Sequence, residues 1–381
     1  MPDVDIAIIG GGIAGLSAAA ACTRIGRDAH VFEAAPAFAP IGTSLSLWPN
    51  AMACLHDWGL ADQIARDGAP IKSVAWRRHD GRAYFTNDLT DHYAAIGHTG
   101  ICLRRADLHR HLASAIPAAH LHTGKRLQSW VDQGHEIVLR FEDGSTVTAN
   151  HLIGADGVWS QIRSTTLNDG PPTYAGYGAW LGLSSAPAPS TDPFEGTEYM
   201  GPIGRMGVFE TGHDTRYWFF IANMPDSHQR ASATDVSEIS TLIHDWPQAF
   251  HELLDKTHQN TVTKVGFYDR PVSRKWGAGN VTLIGDAIHP FLPNLGQGAC
   301  QAIEDAHIIA AAFTAGKTGA DVTRWMQIKR FKRVREMQRT SRQVGLLGQT
   351  ENAFTRATRS AMGKWPLSII GDRQFKRHFT R

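Results

Sequence analysis

A glycine-rich segment near the start of the chain limits the possible folds more than any other feature. Val4–Ile9 is short, apolar and rich in β-branched residues, which predicts a buried parallel strand. Ile13–Ile25 is rich in alanine and predicts a helix, and His30–Glu33 begins the next strand. Between the first strand and the helix the chain satisfies the G-x-G-x-x-G pattern. Its candidate binding positions are Gly10, Gly12, Ile13, Ala14 and Gly15. This order predicts a dinucleotide-binding βαβ unit.

The chemistry of this unit favours a dinucleotide that has no 2′-phosphate. Glycines let the backbone approach a pyrophosphate, and the helix N-terminus offers N–H donors and a positive dipole. Glu33 ends the second predicted strand, 18 residues after Gly15. A carboxylate at that position accepts hydrogen bonds from ribose hydroxyls and repels a 2′-phosphate. The site therefore suits the adenosine of FAD or NAD rather than that of NADP.

A second glycine element, far along the chain, favours FAD over NAD. Val281–Ile284 predicts another buried strand, and a helix is predicted from Gly298 to Phe313. A carboxylate at a strand end can hold a ribityl or ribose hydroxyl. A helix N-terminus can stabilise the negative charge that appears at the pyrimidine edge of a reduced flavin. The candidate residues are Gly285, Asp286, Gly296, Gln297 and Gly298. An NAD-dependent dehydrogenase does not need this second element.

The middle of the chain differs in character from both ends. Ile137–Phe141 and Thr146–Thr148 predict a β-hairpin, and His151–Ala155 predicts a separate buried strand. Residues 180–230 are rich in proline, glycine and aromatics, and Arg216–Ala222 predicts a strand of an antiparallel sheet. We therefore predict an α/β fold, in which a β-sheet substrate domain interrupts a Rossmann-like FAD-binding domain of the glutathione-reductase type. A helical C-terminal tail completes the predicted chain.

The predicted domain bounds follow from these changes in character. The discontinuous FAD-binding domain comprises 1–75, 99–178 and 271–345, the β-rich substrate domain 76–98 and 179–270, and the tail 346–381. Lys329–Arg335 is a basic run near the end of the first of these domains, and we expect it to form a solvated helix face.

Composition excludes several other classes of protein. The chain has four cysteines, far apart and without a C-x-x-C pair, which argues against a zinc site, a dithiol redox centre and a disulfide framework. Its formal net charge of +2 gives no reason to expect nucleic acid as a partner. It has no apolar run long enough to span a membrane and no basic leader. We therefore expect no integral membrane segment and a cytoplasmic location.

Three motifs, in this order, resemble those of the class A flavoprotein aromatic hydroxylases, the family with the p-hydroxybenzoate hydroxylase fold. The first is the glycine segment with Glu33, and the third is Gly285-Asp286 with the glycine-headed helix. The second, Gly154–Gly157 with Ser160 and Arg163, touches both the flavin and the incoming nicotinamide cofactor in that family. The resemblance covers residues 1–345. It implies further FAD contacts at Arg105, Leu127, Asp156 and Pro293.

Within the family, the sequence resembles the bacterial FAD-dependent urate hydroxylases, and next to them the 6-hydroxynicotinate 3-monooxygenases and the salicylate hydroxylases. The resemblance implies that NADH or NADPH docks transiently, reduces FAD and leaves, and that O2 then gives a flavin C4a-hydroperoxide. This oxidant would hydroxylate a small, electron-rich aromatic or heteroaromatic substrate. The cofactor carries the chemistry, and the protein supplies position, charge and exclusion of water.

Arg205 and Tyr217 are the candidate catalytic residues, because they have the spacing of an arginine and a tyrosine at the substrate of urate hydroxylase. Arg205 could stabilise a substrate anion or hold a carboxylate, and Tyr217 could donate a hydrogen bond or relay a proton. Ala179 stands where urate hydroxylase has an asparagine, which argues against urate itself. A hairpin loop of 212–215 would place the two side chains on opposite faces, whereas a three- or five-residue loop would place them on one face.

Two alternatives remain open at this point. One is a flavin-dependent epoxidase or oxidase on the same fold that acts on a non-aromatic substrate. The other is a non-catalytic FAD-binding protein. A monomer and a homodimer are equally compatible with the sequence.

Overall fold

The computed structural model describes residues 2–38, 43–189, 195–226 and 232–349, together with Phe379. The helices within these ranges are α1 Ile13–Arg24, α2 Pro49–Asp57, α3 Ala61–Asp67, α4 Thr90–Ile96, α5 Arg105–Ser114, α6 Gln161–Leu167, α7 Ser237–Leu242, α8 Gln248–Asp255, α9 Gly298–Thr314 and α10 Ala320–Gln349.

The strands form three sheets. They are β1 Val4–Ile9, β2 Ala29–Phe32, β3 Ser44–Leu47, β4 Ala69–Pro70, β5 Ser73–Arg78, β6 Ala83–Asp88, β7 Ile101–Arg104, β8 Leu121–His122, β9 Leu127–Asp132, β10 Ile137–Phe141, β11 Thr146–Gly154, β12 Thr173–Ser184, β13 Glu195–Met200, β14 Gly204–Glu210, β15 Arg216–Asn223, β16 Ser232–Ala233, β17 Thr263–Asp269, β18 Gly277–Ala278 and β19 Val281–Leu283. A small sheet of β3, β7 and β4 lies apart from the two larger ones.

The first large sheet contains the predicted nucleotide-binding unit. Its strand β1 pairs in parallel with β2 on one side and with β11 on the other, and β19 continues the parallel order beyond β11. Ile6 and Ile8 are fully buried in β1, which explains why this strand is a continuous apolar run rather than an alternating one. The expected βαβ start and parallel sheet are confirmed.

The predicted hairpin is present, but its second strand and the buried strand predicted after it are one continuous strand, β11, so the prediction of two separate strands there is wrong. The first half of β11 pairs antiparallel with β10, and the second half pairs parallel with β1. Ala149 takes part in both pairings. A nine-residue strand can serve two partners because its two edges are independent. This arrangement carries the chain from the hairpin directly into the centre of the sheet.

Two arginines of the basic run lie against α9 rather than in solvent. The side chain of Arg330 is 2% exposed, donates from Nε to Asp305 at 2.7 Å and pairs with Glu304. Arg333 also donates to Glu304, at 2.8 Å. The expectation of a solvated face is therefore wrong for these two residues. Helix α10 packs on α9, and buried carboxylates there need charged partners.

The second large sheet has two chemically different faces. Its order is β16-β17-β12-β15-β14-β13-β5-β6, and only β13 and β5 are parallel. On one face Trp180, Trp218 and Phe220 pack with apolar residues of α7 and α8. The other face lines a cavity shared with the first sheet. The strands of this sheet lie within 73–88 and 173–269, compared with the proposed substrate-domain bounds of 76–98 and 179–270.

The predicted C-terminal tail lies mainly outside the described residues. Residues 346–349 continue α10 without a break, so the helix crosses the proposed bound at 345. Among the described residues, no helix combines the length and apolar character that crossing a membrane requires.

Candidate active site

One cavity joins the glycine motifs of the first sheet to the open face of the second. Its volume is about 530 Å³. Of the residues predicted from sequence, it is lined by Gly12, Ile13, Ala14, Arg105, Arg205, Tyr217, Asp286, Pro293, Gly296 and Gly298. The structure therefore brings together residues that are almost three hundred positions apart in the chain.

The N-terminus of α1 opens into this cavity. Gly12 is its N-cap, no side chain caps the helix, and the first turn has no acidic residue. A Cβ added to Gly12 would meet no atom within 4 Å, so open space lies beside this backbone. Uncapped N–H groups and a positive helix dipole that face open space are the arrangement that binds a pyrophosphate.

The other two motif glycines serve the fold rather than the cavity. A Cβ on Gly15 would lie 1.9 Å from the carbonyl oxygen of Gly10, and a Cβ on Gly10 would lie 2.4 Å from that of Ala155. Gly10 also has a φ of 107°, in the region that favours glycine. These two residues let the helix and the neighbouring strand approach the turn closely.

Glu33 lies at the end of β2 and is held by backbone donors. Its carboxylate accepts a hydrogen bond from the Gly11 N–H at 2.6 Å and another from the Ala35 N–H at 2.7 Å. These contacts place the carboxylate beside the glycine turn, where a ribose of a bound dinucleotide would meet it.

The third motif brings a carboxylate into the same cavity. A Cβ on Gly285 would lie 2.7 Å from the Cβ of Ala14, so a glycine is needed where this turn meets the start of α1. The next residue, Asp286, is accessible from the cavity, and its enclosure by the protein raises the pKa of its carboxyl group. Behind the turn, Asp305 accepts hydrogen bonds from the Gly285 N–H at 2.9 Å and from His289 at 2.5 Å.

A second helix N-terminus also opens into the cavity. Helix α9 begins at Gly298 without a side-chain cap or an acidic residue in its first turn. A Cβ on Gly298 would meet no atom within 4 Å. The side chain of Gln297 points elsewhere, toward Asn50 and Gln301, so only its backbone is available to a cofactor.

Two of the predicted cofactor contacts, Asp156 and Leu127, do not line the cavity, and their contact with the cofactor stays a prediction. The carboxylate of Asp156 accepts hydrogen bonds from Ser160 Oγ at 2.5 Å and from the Gln161 N–H at 2.8 Å, and so holds the start of α6. Leu127 is buried at the start of β9 and does not line the cavity. Arg163, of the same motif as Asp156, is buried and pairs with Asp169 at 2.6 Å.

The residues present fit a flavin dinucleotide. Two uncapped helix N-termini face one cavity, and each lies beside a glycine with open space next to it. The first glycine motif also has the carboxylate of Glu33, and the third has that of Asp286. One N-terminus suits a pyrophosphate, and the other suits a ring system that gains negative charge on reduction. A plain dinucleotide site needs only the first.

The opposite wall of the cavity comes from the second sheet. Strands β14 and β15 form a hairpin in which Phe209 pairs with Tyr217 and Arg205 with Ile221. Thr211 and Thr215 close the turn through a backbone hydrogen bond of 3.0 Å, leaving the three residues 212–214 as its loop. The odd loop length places Arg205 and Tyr217 on the same face, and both line the cavity.

Arg205 is buried and already has partners. Its Nη1 donates to Glu198 Oε2 at 2.7 Å, and its Nη2 donates to the side chain of Asn294. Asn294 in turn donates to the Tyr177 hydroxyl at 2.9 Å. Tyr217 lies near Arg105, and burial raises the pKa of the Tyr217 phenol, which therefore stays protonated.

Sequence reasoning missed two residues of this wall, Glu198 and Asn294. Glu198 is half-buried between buried neighbours in β13 and shares the cavity face with Gly196, two residues before it. Its partnership with Arg205 depends on strand register, which the sequence does not give.

Comparison with known proteins identifies this arrangement. A family model described as an FAD binding domain matches residues 3–335. The chain belongs to this family. It is 30% identical over 353 residues to an aurachin C monooxygenase/isomerase from Stigmatella aurantiaca, covering 92% of this chain and 91% of that one. It is 32% identical over 350 residues to a 3-amino-4-hydroxybenzoate 2-monooxygenase from Streptomyces cremeus, covering 90% and 87%.

A solved structure of the family agrees with the fold. HpxO of Klebsiella pneumoniae, complexed with FAD and uric acid, superposes with a TM-score of 0.88 at 26% identity, covering 98% of this chain and 96% of that one. The resemblance inferred from the three motifs is confirmed, and so is FAD as the cofactor. This family member is an FAD-dependent monooxygenase.

Proposed function

We propose that the protein uses NADH or NADPH and O2 to hydroxylate a small, electron-rich aromatic or heteroaromatic compound, and that Arg205 and Tyr217 contact that substrate. The observation that carries the proposal is the single cavity that joins two helix N-termini to an aromatic wall. Relatives that act on 3-amino-4-hydroxybenzoate and on urate support an aromatic or heteroaromatic substrate class.

The overall reaction fixes what the protein must provide. One oxygen atom of O2 enters an aromatic C–H bond to give C–OH, the other leaves as water, and NAD(P)H supplies the two electrons. Bound FAD supplies the electron transfer and the activation of O2. The protein positions the substrate ring, excludes water and holds protons in place.

Specific groups fit these tasks. The Tyr217 phenol is protonated, so it donates a hydrogen bond to a substrate oxygen or nitrogen rather than acting as a base. Arg205, held in place by Glu198 and Asn294, offers its other N–H groups as hydrogen-bond donors without having to reorganise. Phe219 and Phe291 lie in the same cavity and keep its interior apolar.

Aerobic NADH and NADPH oxidation by the purified holoprotein tests the proposal. The panel contains urate, hydroxynicotinates, salicylate and aminohydroxybenzoates, with neutral amides of the acids, and peroxide and product are measured together. One compound should accelerate oxidation and appear as hydroxylated product with little peroxide. Bound flavin with no stimulation by any aromatic compound would instead favour an oxidase or epoxidase that acts on a non-aromatic substrate.

Replacing Arg205 separates its proposed role from cofactor binding. Arg205→Ala should lower kcat/KM for the stimulating compound by about a hundredfold, the usual cost of one well-placed charged donor. Its FAD content should equal that of wild type, because Arg205 lies on the second sheet. Hydroxylation at the wild-type rate would remove Arg205 from the substrate site.

A further inference from the structure

The charges that face the cavity cancel. Among the described residues that line it, only four side chains are charged: Arg105, Asp286, Glu198 and Arg205. Arg105 and Asp286 lie at the end formed by the glycine motifs and attract each other. Glu198 and Arg205 form an ion pair of 2.7 Å on the second sheet. Each cationic side chain therefore has a carboxylate nearby, and neither end has a surplus of positively charged side chains among the described residues.

The arginine on the second sheet is the more deeply buried member of its pair. The side chain of Arg205 is 1% exposed, whereas that of Glu198 is 17% exposed. Arg205 is also fixed from a second side by Asn294, which donates to the backbone carbonyl of Ser341 at 2.9 Å. Because these contacts neutralise and hold the guanidinium, a substrate carboxylate would have to compete with Glu198 for it.

Glu198 itself presents an acceptor to the cavity. Only its Oε2 is engaged by Arg205, and within the described part of the chain Oε1 has no hydrogen-bond partner. An ionised carboxylate is solely an acceptor, so it pairs with an N–H or O–H donor. The same group repels a second carboxylate, and the repulsion is stronger where water is excluded.

The surface beside this acceptor is flat and aromatic. A Cβ on Gly196 would lie 2.2 Å from the ring of Phe209, and a Cβ on Gly207 would lie 2.0 Å from the ring of Phe219. Both rings therefore lie over glycines, and they are stacked at 25° with centroids 6.2 Å apart. Such a surface favours a planar ligand through stacking and apolar contact.

We infer that the substrate is a neutral aromatic compound that lacks a carboxylate and directs an N–H or O–H group at Glu198. The inference concerns the same site as the proposed function and rests on it for the location of the substrate. It names Glu198 as the specificity-determining residue, one that rejects benzoate-like acids and retains their uncharged analogues.

Matched ligand pairs test this inference without turnover. The probes are salicylamide and salicylate, 4-hydroxybenzamide and 4-hydroxybenzoate, and 6-hydroxynicotinamide and 6-hydroxynicotinate. Each is titrated into the oxidised holoprotein at pH 7.5, and Kd is read from the change in flavin absorbance. In each pair, the neutral amide should bind at least tenfold more tightly than the acid. Equal or tighter binding of the acids would overturn the inference, as would neutral members that leave the flavin spectrum unchanged.

A single variant then tests whether Glu198 causes the preference for amides over acids. Glu198→Gln keeps the size of the side chain and an acceptor for Arg205 but removes the negative charge. Its ratio of acid to amide Kd should fall to less than threefold, chiefly because the acids bind more tightly. Glu210→Gln is the matched control. Glu210 also pairs with an arginine of the same sheet, Arg216 at 2.8 Å, but does not line the cavity. A ratio unchanged in Glu198→Gln would overturn the role of Glu198.

The two proposals fail in different ways. Preferential binding of the amides with no hydroxylated product from any of them would leave the inference standing and contradict the proposed function. Hydroxylation of a tightly bound acid would support the proposed function and contradict the inference. The wild-type titrations do not depend on the folding of any variant.

Discussion

The two ends of the cavity are built from different parts of the chain. At the glycine-motif end, backbone groups form the site: two helix N-termini and the glycines that let them approach. At the second-sheet end, side chains from neighbouring strands form it, and their contacts depend on register. The first kind of site tolerates little change in local geometry, whereas the second can change its ligand by single substitutions. This difference explains how one family retains FAD while its members differ in substrate.

The largest effect on FAD binding should come from a methyl group added at the motif end. In Gly15→Ala the new Cβ would lie 1.9 Å from the Gly10 carbonyl oxygen, so α1 and the turn must separate. We expect a loss of stability of about 3 kcal/mol and little bound FAD, measured by thermal denaturation and by flavin-to-protein absorbance.

Gly12→Ala is the matched control for this variant. Its Cβ would meet no protein atom within 4 Å, and its φ of −74° suits any residue. It should fold as stably as the wild-type apoprotein while binding FAD more weakly. Equal stability of Gly15→Ala and Gly12→Ala would show that the close approach of Gly15 to the Gly10 carbonyl oxygen does not limit the stability of the glycine-motif end.

A second test concerns the charges behind the motif end. Arg330→Met would remove the buried arginine that Asp305 and Glu304 share, leaving Glu304 with Arg333 and Asp305 with His289. Breaking a buried ion pair from one side costs about 3–5 kcal/mol. Asp305 holds the Gly285 turn, so FAD retention should fall together with the free energy of unfolding in urea. Arg126→Ala removes an exposed pair with a 3.8 Å separation and should change stability by less than about 1 kcal/mol.

The same contrast determines how much could be predicted from sequence. The pattern around Gly10 and Gly285 gave the βαβ unit, the cofactor and both helix N-termini, because a backbone site requires glycines at fixed positions. The single strand β11 was divided into two, because its change of partner at Ala149 leaves no local signal. Likewise, Arg330 was expected in solvent, because burial of a charge depends on a partner 25 residues away.

The substrate end was less accessible to sequence reasoning. Arg205 and Tyr217 were found through resemblance, but their common face required the loop length at 212–214. The pairing of Arg205 with Glu198 depends on the register of β13 and β14, which the spacing of residues along the chain does not give.

A third test uses pH and a histidine in the first sheet. Burial lowers the pKa of His151 to about 4, from about 6.5 in an unfolded chain. Between these two values only the unfolded state binds the proton, so stability is lost as pH falls from 6.5 towards 4 and is unaffected above 6.5. The loss attributable to His151 should reach about 3 kcal/mol.

Urea denaturation of the FAD-saturated protein between pH 7 and 4.5 measures this loss. His151→Gln should have a shallower decline than wild type, and His135→Ala, whose side chain is 75% exposed, should not. Parallel curves for wild type and His151→Gln would mean that His151 is not the source of acid sensitivity at this end.

The smallest effect, and the one most specific to the substrate end, should come from one hydroxyl group. Burial raises the pKa of the Tyr217 phenol, so between pH 6 and 9 it stays protonated and can donate a hydrogen bond to a substrate atom. Tyr217→Phe should therefore lower kcat/KM about tenfold, the value of a single hydrogen bond, without adding or removing an ionisation in that pH range. Bound FAD should be unchanged, since the substitution leaves the glycine-motif end intact. Tyr174→Phe, which removes a hydroxyl that donates to the Met224 carbonyl in the same sheet, is the control and should keep the wild-type kcat/KM. If both variants keep it, Tyr217 contributes only its ring, and recognition at this end depends on the ion pair and the aromatic surface alone.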